Sequence, residues 1–113
     1  MIDVNRGDVV LLRVQLPGRQ DPSLRPALVV SSQTYHRGRG SQVVVAAITG
    51  DMKQVLTGDS VIQGWRDAGL LAASAVTGVL RTVGRDTVAE KLGALSEGDL
   101  RSVDNSLRLS LAI

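Results

Sequence analysis

The chain has 113 residues, 43% hydrophobic and 21% charged, which argues for one folded domain over 1–113 and against disorder. It has no cysteine, so disulfide scaffolds, thiolate metal sites and cysteine nucleophiles are excluded. The longest apolar run, 43–48, is six residues, against the ~20 that span a bilayer, and no basic-then-apolar leader opens the chain; a cytoplasmic location is expected.

Thirteen basic residues against eleven acidic ones give a net charge of +2, and only Lys53 and Lys91 are not arginine. Arginine offers a planar, two-point grip on phosphate that lysine does not. The excess lies in residues 1–50, where Arg6, Arg13, Arg19, Arg25, Arg37 and Arg39 face only Asp3, Asp8 and Asp21. A phosphate-bearing partner would meet this half of the chain, although a solvated surface accounts equally well for the charge alone.

Valine-rich and leucine-rich runs separated by Gly, Pro, Asp and Ser predict several short strands. Arg6-Gly7-Asp8 is a turn into a first strand over 9–15. A breaker-rich loop over 17–23 follows, then a buried strand over 26–32. The polar stretch 33–40, with Arg37-Gly38-Arg39-Gly40, reads as a hairpin loop before a third strand over 41–48. Residues 52–69 are weakly patterned, with a short strand near Val61-Ile62. Further strands are predicted over 74–80 and 88–95. Ser96, followed by Asp99, resembles a capping box, and Leu100, Val103, Leu107 and Leu111 form one apolar stripe, predicting a helix over 97–111. The sum is a mainly β chain: a small, strongly bent antiparallel sheet with a helical lid.

The inventory of reactive side chains is narrow. The single histidine, His36, sits in the polar stretch and is expected to be solvent-exposed; no structural zinc site, no G-x-S-x-G elbow and no P-loop is present. RNA cleavage demands less, because the nucleophile is the substrate's own 2′-hydroxyl, and the protein need only align and stabilise one phosphate. Arg25 precedes Pro26, which pushes its backbone toward an extended conformation at a strand entrance. Thr49 leaves the apolar strand, where its hydroxyl would reach the same rim if the two strands are neighbours. Each residue also has a plain structural reading, as a charge guarding a sheet edge and as a turn cap.

Arg6-Gly7-Asp8-Val9-Val10, Arg25-Pro26-Ala27-Leu28-Val29-Val30-Ser31-Ser32 and Val43-Val44-Val45-Ala46-Ala47-Ile48-Thr49, in that order, resemble the signature of the MazF/PemK toxins. Leu80-Arg81-Thr82-Val83 resembles a later "IRT" segment of that family, and Ser96 onward resembles its closing helix. The resemblance implies an SH3-like antiparallel barrel with a C-terminal helix. It implies a homodimeric toxin of a type II toxin-antitoxin system that cuts single-stranded RNA sequence-selectively without metal or other cofactor. The family's catalytic Arg and Thr fall on Arg25 and Thr49. Arg19, Gln20, Ser31, Ser32, Arg37, Arg39 and Arg81 are the candidate RNA contacts, and an acidic, disordered tail of a MazE-like antitoxin is the expected inhibitor. Gly78 and Val79 stand where many members carry an acidic or amide pair, which bears on substrate sequence and catalytic competence. A non-catalytic or weakened RNA-binding or antitoxin-binding relative, or a CcdB-like gyrase poison, are the alternatives on the same barrel.

Overall fold

Continuous β-branched runs need two buried faces, and the computed structural model, which describes residues 2–113, provides both. Six strands, β1 (Asp8–Val14), β2 (Ser23–Val29), β3 (Gln42–Thr49), β4 (Ser60–Val61), β5 (Ala75–Gly84) and β6 (Val88–Ala94), form one antiparallel sheet in the order β4-β5-β3-β2-β1-β6. Helix α1 (Gln33–Arg39) joins β2 to β3, and helix α2 (Glu97–Leu111) ends the chain. No helix among the described residues is long and apolar enough to cross a membrane.

One face of the sheet, with Val9, Leu28, Ala46, Ile48 and Val76, is covered by α2 through Val103, Leu100 and Leu107. The other face, with Val10, Leu12, Ala27, Val29, Val43, Val45 and Val88, has no helix over it. It is buried because the sheet curls: Val83 of β5 and Val88 of β6 pack into the same cluster as Val10 and Val29. The inside of a tightly curled sheet takes small branched side chains, and eight of the sixteen valines (Val4, Val10, Val14, Val29, Val43, Val45, Val83 and Val88) lie in or against this cluster. The sheet is therefore barrel-like, with β4 and β6 left as its two edges.

Helix α2 spans 97–111 as its periodicity predicts, and Ser96 accepts a hydrogen bond from the Asp99 amide at 3.1 Å. Asp99 does not reach back to complete the capping box. It is buried, and its carboxylate accepts from the amides of Gln63 (3.1 Å) and Gly64 (2.9 Å), which anchors the irregular 62–70 segment to the helix. Trp65 packs partly buried against the main core. Leu111, by contrast, is half-exposed, because the helix runs past the edge of the surface it covers.

The predicted hairpin loop over 33–40 is instead helix α1, capped by Ser32, whose hydroxyl accepts from the Tyr35 amide at 3.2 Å. His36 is buried at 3% exposure rather than solvent-exposed, and its Nε2 lies 2.6 Å from Ser31 Oγ. Ser31 Oγ also accepts from the Val44 amide at 2.9 Å, so a short helix, β2 and β3 are tied at one point. Two buried nitrogens in this region, His36 Nδ1 and Arg85 Nε, have no protein partner.

Burial, and then the nearby Arg85 charge, lower the His36 pKa from its ordinary 6.5, with Asp3 opposing. The folded chain thus binds this proton more weakly than the unfolded chain does. Stability is full above pH 6.5 and is lost as pH falls from there through the lower folded value. Thermal denaturation is expected to show a flat Tm above neutrality and a decline as pH falls below 6.5. A His36→Gln variant should lack that decline; an identical pH profile for both proteins would assign it elsewhere.

Candidate active site

The β2–β3 ladder pairs Ala27 with Ala47, Leu28 with Ala46 and Val29 with Val45. Continued by two residues toward the end where β2 begins and β3 ends, the same register sets Arg25 across from Thr49. Side chains alternate along a strand, so Arg25 and Thr49 share the face of Ala27 and Val45, the inner face of the curl. Both residues stand at its rim, where the valine-lined interior gives way to solvent. Arg25 is exposed and lies within β2, which begins at Ser23, three residues earlier than expected. Pairing with β3 begins just beyond Pro26, which has no amide hydrogen to contribute.

Among the described residues the ion pairs are Arg6–Asp104, Arg85–Asp3 and Lys91–Asp8, so no carboxylate neutralises Arg25. The partly buried Thr49 accepts at Oγ1 from the Asp51 amide at 3.1 Å. That bond fixes the oxygen and leaves its O–H to donate outward. A guanidinium fork and a hydroxyl donor on facing strands suit a tetrahedral anion.

Beyond Thr49 lies a groove of about 400 Å³, bounded by the β3–β4 loop, residues 77–79 of β5 and Ser110 of α2. On the other side of the rim an apolar groove of about 390 Å³ runs past Leu24, Pro26, Gly50 and Leu71.

The remaining candidates divide. Arg19 and Gln20 are exposed on the β1–β2 loop, at the same end of the sheet as Arg25. Arg81 pairs with Val45 and so shares the inner face; it lines a cleft of about 190 Å³ with Leu12, the register partner of Arg25. Arg37 and Arg39 belong to α1, at the opposite end of the β2–β3 hairpin. Arg39 bonds to Gln42, seven residues up the strand from Thr49 and so about 24 Å away. Ser31 is buried with its hydroxyl committed to His36 and Val44, and Ser32 caps α1, so neither belongs to the rim. The groove residues Asp51, Gln54 and Asp59 were not legible as a site, because the segment that carries them has no periodic pattern.

The sequence model of the PemK-like, MazF-like toxins of type II toxin-antitoxin systems matches residues 5–111. The chain belongs to that family. Solved structures agree in fold. A mycobacterial endoribonuclease in complex with its cognate antitoxin superposes with a TM-score of 0.77 at 17% identity, over 98% of this chain and 97% of that one. MazF from Deinococcus radiodurans gives 0.73 at 22% identity, over 97% of each chain. The Mycobacterium tuberculosis toxin MazF-mt6 gives 0.69 at 20% identity, over 92% of this chain and 97% of that one. This PemK/MazF-family chain thus shares with them the antiparallel sheet and the closing helix.

Proposed function

We propose that this family member is an endoribonuclease that cuts single-stranded RNA sequence-selectively through attack of the 2′-hydroxyl on the adjacent phosphate. The observation that supports this reading is the β2–β3 register, which, continued two residues past Ala27–Ala47, puts Arg25 opposite Thr49 on an open rim. In the proposed step Arg25 spans two phosphate oxygens and Thr49 Oγ1 donates to one of them. Both bonds strengthen as negative charge accumulates on the pentacoordinate phosphorus. The 2′-oxygen bonds to phosphorus as its proton passes to solvent, the P–O5′ bond breaks and the departing 5′-oxygen takes up a proton, leaving a 2′,3′-cyclic phosphate and a 5′-hydroxyl. A guanidinium does not serve as a base, so Arg25 acts by charge and alignment. Because the attacking group belongs to the substrate, the reaction needs no metal.

The chain is further proposed to act in the cytoplasm as a homodimer restrained by a MazE-like antitoxin. Support for a protein partner comes from the apolar groove beside the rim, where Leu24 is 53% and Leu71 100% exposed. An acidic, disordered antitoxin tail suits a rim whose arginine has no carboxylate of its own.

Purified protein incubated with unstructured RNA in EDTA is expected to yield fragments ending in 2′,3′-cyclic phosphate. Thr49→Val, which keeps the shape and removes the hydroxyl, should slow this by about 10²-fold. RNA that stays intact across a varied pool, or cleavage that appears only when metal is restored, would overturn the mechanism.

A further inference from the structure

The groove beside Thr49 differs in character from the rest of the rim. No lysine or arginine lines it; Asp51, Gln54 and Asp59 do. A backbone phosphate would be repelled there, so on the ribonuclease reading, on which this inference rests, the phosphate faces Arg25 and a base turns toward the groove. At about 400 Å³ the groove falls in the range of small-molecule sites, roughly 300–1,000 Å³.

Both carboxylates are held in place from within their own loop. Asp51 Oδ1 accepts from the Lys53 amide at 3.2 Å, and Asp59 Oδ2 accepts from the Leu56 amide at 2.9 Å. These bonds orient the two groups before any ligand arrives, and the second oxygen of each has no hydrogen bond among the described residues. Gly78 lines the groove without a side chain, and a Cβ there would make ordinary contact with Ser110 Oγ at 3.5 Å.

We propose that this groove receives the nucleobase next to the scissile phosphate and selects bases bearing an exocyclic amino group over uracil. An ionised carboxylate only accepts hydrogen bonds. Adenine, cytosine and guanine each present an NH₂ group to it. Uracil presents one N–H flanked by two carbonyl oxygens, both of which a carboxylate repels. Gln54 can turn its amide to suit either edge, so discrimination rests on Asp51 and Asp59.

The test sequences fragment ends from a random RNA pool cut by the wild type and by an Asp51→Asn/Asp59→Asn double variant. Asparagine can still accept the two loop amides while its NH₂ supplies a donor to uracil. At one position flanking the cut, the wild type is expected to disfavour uracil about tenfold, and the variant to lose most of that preference. A second measurement does not depend on turnover. Oligonucleotides made uncleavable by 2′-deoxy substitution at the cut position, differing only in adenine or uracil beside it, should bind the wild type with about a tenfold difference. Wild-type cutting with no bias at either flanking position, an unchanged bias in the variant, or equal affinities for the two oligonucleotides each overturn the proposal and leave the nuclease standing. A wild type that cuts nothing in the pool removes the nuclease reading itself, and this proposal with it.

Discussion

Arg25→Ala is expected to lower RNA cleavage by about 10²–10³-fold while leaving the melting temperature nearly unchanged. The two halves of that result come from the same geometry. Arg25 is exposed at the rim and no carboxylate pairs with it, so its removal exposes no buried charge and breaks no ion pair. Surface substitutions of this kind stay within about 0.5 kcal/mol. Catalytically the loss is expected to be large, because Arg25 is the cation that falls across from Thr49 when the β2–β3 register is continued past Ala27–Ala47. Arg25→Lys separates charge from shape: it retains a positive group but not the planar fork, so activity between the wild type and the alanine variant is expected. Rates are compared on one synthetic RNA, with circular dichroism melts of each variant. Undiminished cleavage by a folded Arg25→Ala protein would sink the assignment, and lost cleavage with a collapsed melt would make Arg25 structural.

The largest effect on stability is expected at Gly69. Its φ of +85° is one that side chains rarely tolerate, and a Cβ there would lie 2.3 Å from the Leu92 carbonyl oxygen and 2.7 Å from its carbon. The obstacle is backbone of β6, which cannot swing aside. Gly93 faces it from the other strand of the contact, with the Ala68 oxygen 2.7 Å from where its own Cβ would stand. Two glycines thus let the 62–70 segment lie directly on β6. Gly69→Ala is expected to cost about 3 kcal/mol or more, a fall in Tm of roughly 12 °C or beyond. Gly18→Ala is the comparison: φ is +74°, but nothing lies within 4 Å. It should cost only the left-handed conformation, about 1–2 kcal/mol. Equal losses at the two sites would mean that strain at φ, not the close approach, dominates at Gly69.

What could be read from the chain divides by distance along it. Helix α2 was legible because its evidence is local: a stripe at helical spacing and a serine that caps an amide three residues on. Helix α1 was not, because its seven residues carry no apolar periodicity. It holds through the Ser32 cap and through His36, which is buried against Ser31 and so cannot be recognised without the fold. The same burial removes Ser31 from the RNA contacts that a linear motif suggests.

The signature segments, and with them the family, were present in the order of residues alone, as were the antiparallel strands and the excess of arginine in the first half. Whether two of those residues meet was not. Arg25 and Thr49 fall opposite each other when the β2–β3 register, set by which face of the two strands the valines must bury, is continued two residues past Ala27–Ala47, and Arg37 and Arg39 are sent to the far end by the same hairpin. The acidic groove beside Thr49 arises likewise from an unpatterned loop folding against β5 and α2. Capping and periodicity act between near neighbours and leave their mark in the sequence; convergence at a rim is set by long-range burial, which only the folded chain decides.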